Sequence, residues 1–134
     1  MSGTVKVLLI DDNPMILGML SQALGKFAAL DTASDSAEGL LKIVEAPPDL
    51  LITDYQMPGM SGLDLARKLH NEPGKRNLPA MLLTAHGLAL EQVELAHAGI
   101  TVCLSKPFSP RDLLEKVNEL IAQRDQVPEA APAA

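Results

Sequence analysis

The chain of 134 residues has no tryptophan, one tyrosine, two phenylalanines and a single cysteine. Aromatics make up only 2% of it, so a folded core has to be built from aliphatic side chains. With Cys103 alone, an internal disulfide is excluded. No basic run occurs, and the net charge of −6 argues against general binding to nucleic acid or anionic membrane, since both need a basic surface. The start carries no basic-apolar signal peptide, and no apolar span reaches about 18 residues. The expectation is therefore a cytoplasmic protein with no membrane and no direct nucleic-acid partner. What is present is an ordinary balance for a globular chain, 47% hydrophobic and 21% charged, in a length that suits one domain.

Apolar runs of strand length alternate with segments of helical period, which is the pattern of a doubly wound α/β fold. The expected strands are Val5 to Ile10, Ala28 to Ala33, Leu50 to Thr53, Ala80 to Thr84 and Ile100 to Ser105. All but the second are nearly continuous apolar runs, as expected when helices cover both faces of a parallel sheet. The second, with Asp31 and Thr32, reads as an edge strand.

Five helices are punctuated between them. Asn13-Pro14 is an N-cap and first-turn pair, followed by a stripe of Ile16, Met19, Leu20, Ala23, Leu24 and Phe27. Ser36 precedes Leu40, Leu41 and Val44, and Pro47-Pro48 ends that helix. Ser61 opens a third, with Leu63, Ala66 and Leu69 inward and an end near Asn71 to Gly74. The fourth runs from about Leu88 to His97 and stops at Gly99. The fifth starts with Ser109, Pro110 and Asp112 in a capping-box arrangement and buries Leu113, Leu114, Val117, Leu120 and Ile121. Residues 1–124 read as one domain. Residues 125–134, biased to Pro, Glu and Ala without an apolar face, read as a flexible tail or the start of a linker.

In such a sheet, ligands collect beyond the carboxyl ends of the strands. The first strand ends in Asp11-Asp12, the third in Asp54, the fourth in Thr84 and the fifth in Ser105-Lys106-Pro107. Three carboxylates, a hydroxyl and an ammonium thus converge on one rim. Clustered carboxylates repel and raise one another's pKa, so a cation between them is implied. A hard, oxygen-seeking ion such as Mg²⁺ suits that donor set, with Mn²⁺ an acceptable substitute. Each element has a bland reading when taken alone. Asp11-Asp12 before Asn13-Pro14 also suits a helix cap, Asp54 a loop carboxylate, Thr84 a strand end, and Lys106 a solvated side chain. Their joint appearance at four strand ends is what favours function.

Asp11-Asp12 after an apolar strand, Asp54-Tyr55-Gln56-Met57-Pro58-Gly59-Met60-Ser61-Gly62, Thr84-Ala85 and Lys106-Pro107-Phe108 closely resemble the motifs of two-component response-regulator receiver domains, of the single-receiver chemotaxis type, over roughly residues 4–124. The resemblance implies a flavodoxin-like fold of five parallel strands in the order 2-1-3-4-5 with five helices. It also implies a phosphorylation-dependent switch in a phosphorelay rather than an enzyme. Asp54 would accept a phosphoryl group from a phosphohistidine on a histidine kinase or histidine phosphotransfer protein, and the altered surface would engage a downstream target or effector domain. Asp11, Asp12, Asp54 and the Gln56 backbone carbonyl would hold Mg²⁺. Lys106 would pair with Asp54 at rest and with the phosphoryl group afterwards, and Thr84 would bond another phosphoryl oxygen. Gln56 and His86 stand where the family tunes dephosphorylation, and the Lys106-Pro107 bond is expected to be cis.

One position departs from the family. Three residues before the lysine, where many receivers carry an aromatic switch, this chain has Cys103, which reads as an inert small hydrophobe inside a buried-type strand. Met15, Met19 and Met60 read as packing residues, and His70, His86 and His97, which lack metal spacing, as surface residues. Gly59 and Gly62 are expected to shape a turn and to permit close backbone approach, since the Gly-Lys-Ser/Thr ending of a P-loop is missing. The stretch Ala98-Gly99-Ile100-Thr101 lacks the paired acidic residues of receivers that dimerise ahead of a DNA-binding domain, which weighs against a transcription-factor origin; a monomer or weak dimer is the expected state. Two other functions compete. One is a receiver-like scaffold that binds partners without phosphorylation, favoured by Cys103. The other is a Mg²⁺-dependent aspartyl-phosphate phosphatase, which would place Asp-x-Asp rather than adjacent aspartates after the first strand.

Overall fold

A computed structural model describes residues 5–26, 28–57, 59–71, 78–85 and 92–126, excepting the side chains of 92 and 123–126. Its strands are β1 (Val5–Ile10), β2 (Ala28–Ala33), β3 (Leu50–Asp54), β4 (Ala80–Ala85) and β5 (Ile100–Lys106). Its helices are α1 (Pro14–Leu24), α2 (Ser36–Glu45), α3 (Gly62–His70), α4 (Gln92–His97) and α5 (Pro110–Gln126). The strands form one parallel sheet in the order β2-β1-β3-β4-β5. The doubly wound α/β order implied by the receiver resemblance is the observed one. Three strands run one residue further than expected, so that Asp54, Ala85 and Lys106 end β3, β4 and β5. The expected start of α4 at Leu88, with His86, Phe27 and residues 127–134, lies outside the described residues.

Successive side chains of a strand point to opposite faces, and the core divides accordingly. Leu8, Ile10, Leu51, Ala80 and Leu82 pack with Ile43 of α2, Leu63, Leu65, Ala66 and Leu69 of α3, and Leu95 of α4. Val7, Leu9, Leu50, Ile52, Met81 and Leu83 pack on the other face with Leu20 and Leu24 of α1 and Leu113, Val117 and Leu120 of α5. Both layers are aliphatic, as the shortage of aromatics requires. No helix among the described residues is long and apolar enough to cross a membrane.

The helix starts follow their caps. Asn13 accepts from the Met15 amide ahead of Pro14, and Ser61 accepts from the Asp64 amide. Ser109 and Asp112 exchange side-chain-to-amide bonds at 3.1 and 3.3 Å, the expected capping box of α5. At α2 the residue before Ser36 supplies the cap. The cap is Asp35, which accepts from the Glu38 amide, and Ser36 is the first helical residue, buried. The buried face of α2 is Ser36, Gly39 and Ile43, while Leu41 and Val44 stand 66% and 72% exposed.

Other residues also depart from expectation. Met15 is 81% exposed, because α1 turns Ile16, Leu17, Leu20 and Leu24 toward the sheet; Met60 does pack against the core. β5 is the second edge of the sheet, with Thr101 and Ser105 exposed, and its pairing with β4 skips a residue between Ile100 and Val102. Cys103 is consequently only half-buried, though it still packs on the first core layer, and burial pushes its thiol pKa up. His97 is exposed, whereas His70 is half-buried with its ring against Gly99, the positive-φ residue that ends α4.

Candidate functional site

The strand ends bring Asp11, Asp12, Asp54, Thr84 and Lys106 to one rim. Asp11 follows β1, and its amide donates to the Ala33 carbonyl at 3.1 Å. One of its carboxylate oxygens accepts from the Asn13 amide at 2.9 Å and the other from Lys106 Nζ at 3.1 Å. It is fully buried, while Asp12 is exposed. Asp54, also buried, closes β3 with Oδ1 3.1 Å from the same Lys106 Nζ. Thr84, buried, stands opposite Ser105 in the β4–β5 ladder, one step before Ala85 and Lys106. The Lys106-Pro107 bond is cis, as expected. Gln56 is exposed on the loop that leaves Asp54, and His86 lies outside the described residues.

That loop is held close to Asp54. The Tyr55 amide donates to the Leu83 carbonyl at 2.8 Å, and the Gly62 amide donates to the Tyr55 carbonyl at 2.9 Å. Gly59 has φ +79°, a conformation that side chains with a Cβ disfavour. A Cβ on Gly62 would collide with the Asp54 backbone carbonyl. Both glycines thus serve turn geometry and close approach. Ser36 Oγ donates to the Met60 carbonyl at 2.8 Å, a contact that links α2 to the loop.

The electrostatics are those of a site short of positive charge. Burial, then Asp11, then Asp12 push the Asp54 carboxyl above its ordinary value, and Lys106 offsets only part of this. Burial on its own would lower the Lys106 ammonium, but its contacts with Asp11 and Asp54 carry it above the usual value. One ligand atom from each of Asp11, Asp12 and Asp54 lies within 4.8 Å of the others. Three carboxylates against one ammonium leave two negative charges on hard oxygen donors, so the residues present fit a divalent cation of the Mg²⁺ type.

Two contacts were not foreseen from the sequence. Lys106 bridges Asp11 as well as Asp54, which strand-end position alone does not reveal. The Ser36 link had one available signal: Asp35 and Ser36 are consecutive capping-type residues, and a helix start uses only one.

The chain is 33% identical over 118 residues to the hybrid signal transduction histidine kinase D of Dictyostelium discoideum, covering 88% of this chain and 8% of that protein. It is 30% identical over 128 residues to the phosphate regulon transcriptional regulatory protein PhoB of Pseudomonas aeruginosa, covering 94% and 56%. It thus spans little more than half, and in the kinase less than a tenth, of these relatives. Among solved structures, the chemotaxis response regulator CheY4 of Vibrio cholerae superimposes with a TM-score of 0.81 at 30% identity, over 88% of this chain and 99% of that one. Residues 7–118 match the model of the response regulator receiver domain. A match over that share of the sequence, on the sheet order and strand-end chemistry described above, decides membership: the chain belongs to the response regulator receiver domain family.

Proposed function

We propose that Asp54 is the phosphoacceptor of this signalling switch. The observation that carries the proposal is the placement of its buried carboxylate between Asp11, Asp12 and the Lys106 ammonium. Receiver domains are signalling domains, and what this one contributes chemically is assistance to its own modification. An Asp54 oxygen attacks the phosphorus of a phosphohistidine on a kinase or phosphotransfer partner. The P–O bond forms as the P–N bond breaks, and the imidazole nitrogen keeps the bonding pair. Phosphoryl transfer needs alignment and neutralisation of the transferring oxygens more than covalent help. Lys106 supplies one positive charge for this and Thr84 a hydroxyl. Asp11, Asp12, Asp54 and the Gln56 carbonyl would hold Mg²⁺, which when bound neutralises phosphoryl oxygens.

Bonds made by Thr84 with the phosphoryl group bias the domain toward an active arrangement. With Cys103 opposite Leu82 in the ladder and no aromatic ring there, the shift reaches the surface through the paired backbones of β4 and β5. By the family resemblance, Gln56 and His86 would tune the lifetime of the acyl phosphate. A cytoplasmic setting with a phosphohistidine donor fits this reading.

The test is Mg²⁺-dependent phosphorylation by acetyl phosphate followed by mass spectrometry. The expected result is one added phosphoryl group in the wild type and none in Asp54→Asn. Equal labelling of that variant, or labelling that persists in EDTA, refutes the assignment.

A further inference from the structure

Ser36 is a buried polar side chain with no place in the switch described above. It is 3% exposed at the first position of α2, where Asp35 already caps the helix through the Glu38 amide. Its hydroxyl is therefore not used by its own helix. Instead it donates at 2.8 Å to the Met60 carbonyl, 24 residues away. A hydroxyl taken out of water is costly unless it is hydrogen-bonded, and at this crowded helix start a smaller apolar residue would fill the space without that requirement.

The partner is what gives the contact meaning. Met60 lies on the loop between Asp54 and α3, the loop that also carries Gln56. The base of this loop is tied at Tyr55 and Gly62, by the amide bonds to Leu83 and Tyr55 respectively. Between those ties the chain passes Gly59 at φ +79°, where, among the described residues, nothing lies within 4 Å of the space a Cβ would occupy. The Ser36 bond reaches the loop beyond this glycine, from a different element of the fold. It adds a polar tie from α2 to a segment whose Met57 and Met60 side chains also pack on the core.

We infer that Ser36 is a positioning residue for the acceptor loop, holding it through the Met60 carbonyl in the arrangement that binds the divalent cation. Ser36 touches neither the phosphoryl group nor the metal. It reduces the number of loop arrangements, and so raises cation affinity without changing the chemistry of the loaded site. The inference rests on the Mg²⁺ reading of the site given above. One hydrogen bond of this kind is worth at most about a tenfold change in an equilibrium constant.

The experiment is isothermal titration with MgCl₂ of the wild type, Ser36→Ala and Ser36→Thr, alongside amide hydrogen exchange of residues 56, 57, 59 and 60 without metal. Ser36→Ala is expected to weaken Mg²⁺ binding about 3- to 10-fold and speed exchange in the loop, and Ser36→Thr, which keeps the hydroxyl, to restore both. At saturating Mg²⁺, the phosphorylation yield of Ser36→Ala with acetyl phosphate should equal that of the wild type. Unchanged Mg²⁺ affinity in Ser36→Ala overturns the inference, even if the variant melts earlier, because a merely structural role predicts that outcome. If the wild type itself fails to bind Mg²⁺, the metal reading fails. The cation-positioning role falls with it, and the exchange data separate what remains: faster loop exchange in Ser36→Ala leaves a contact that only holds the loop, and unaltered exchange removes that as well.

Discussion

Replacing Asp54 by Asn should stabilise the metal-free protein at neutral pH, although it removes an ion pair. Ligand oxygens of Asp11 and Asp54 lie within 4.8 Å of each other, so at an effective dielectric of about 20 the repulsion of Asp54 by Asp11 is about 3.5 kcal/mol or more. Asp12 adds less because it is exposed. Lys106 at 3.1 Å attracts by about 5 kcal/mol on the same scale. The charge contributions nearly cancel, so the desolvation of a buried carboxylate decides the sign, and Asn avoids most of it. A gain of about 1–2 kcal/mol is expected, read as a higher urea midpoint in EDTA at pH 7. The pH dependence carries the same sign. The folded-state carboxyl titrates above its ordinary 3.8, so between the two values the folded state holds more protons than the unfolded one. Wild-type stability therefore falls as pH rises through that window, and Asp54→Asn loses this decline. Mg²⁺ at ten times its Kd should return about 1.4 kcal/mol to the wild type and much less to the variant. A lower urea midpoint for Asp54→Asn in EDTA, or equal Mg²⁺ stabilisation of both proteins, refutes the reasoning.

Three other perturbations test neighbouring parts of the site. Lys106→Ala removes an ammonium that stands 3.1 Å from both Asp11 and Asp54, so it should tighten Mg²⁺ binding by calorimetry while lowering the yield of acetyl-phosphate labelling; weaker metal binding contradicts this. Gly62→Ala forces a Cβ onto the Asp54 carbonyl and should cost about 3 kcal/mol or more, seen as an early thermal transition by circular dichroism; a wild-type transition would mean the loop has room to relax. Cys103→Ala should leave phosphorylation intact, because the thiol packs on the core and no contact ties it to Asp54; a lost yield by mass spectrometry counts against that.

The sheet is legible because parallel strands covered on both faces are largely apolar, and β1, β3 and β4 are so apart from Lys6, Thr53, Asp54 and Thr84. The buried face of helix α2 is less legible for a related reason. Leu40, Leu41, Ile43 and Val44 are all apolar, so hydrophobicity alone does not choose a face. The choice is made by size: Ser36, Gly39 and Ile43 recur at helical spacing, and a Cβ on Gly39 would collide with the Ile10 side chain. Close approach to β1 selects the small residues, and Leu41 and Val44 are left outside. Met15, expected to pack, lies in the first turn of α1 outside the stripe that Ile16, Leu20 and Leu24 turn toward the sheet, and it is exposed.

Site chemistry proved easier to read than site mechanics, and the difference is physical. Carboxylates, a hydroxyl and an ammonium at strand ends are brought together by any doubly wound sheet, so residue type and strand position suffice to collect Asp11, Asp54, Thr84 and Lys106. How the collected groups are held depends on contacts between elements distant in sequence. Lys106 reaches Asp11 across 95 positions, and Ser36 reaches Met60 across 24. Neither pairing follows from local pattern, because a side chain's second partner is set by the packing angle of whole helices and strands. The same limit applies to the output. At Cys103 the sequence reveals that a ring is missing, and the ladder from Thr84 to Ser105 and from Leu82 to Cys103 is a route, among the described residues, by which a change at the acceptor would move β5. A signal carried along this ladder would depend on backbone register, and the irregular step between Ile100 and Val102, where β5 slips against β4, is where such coupling would end.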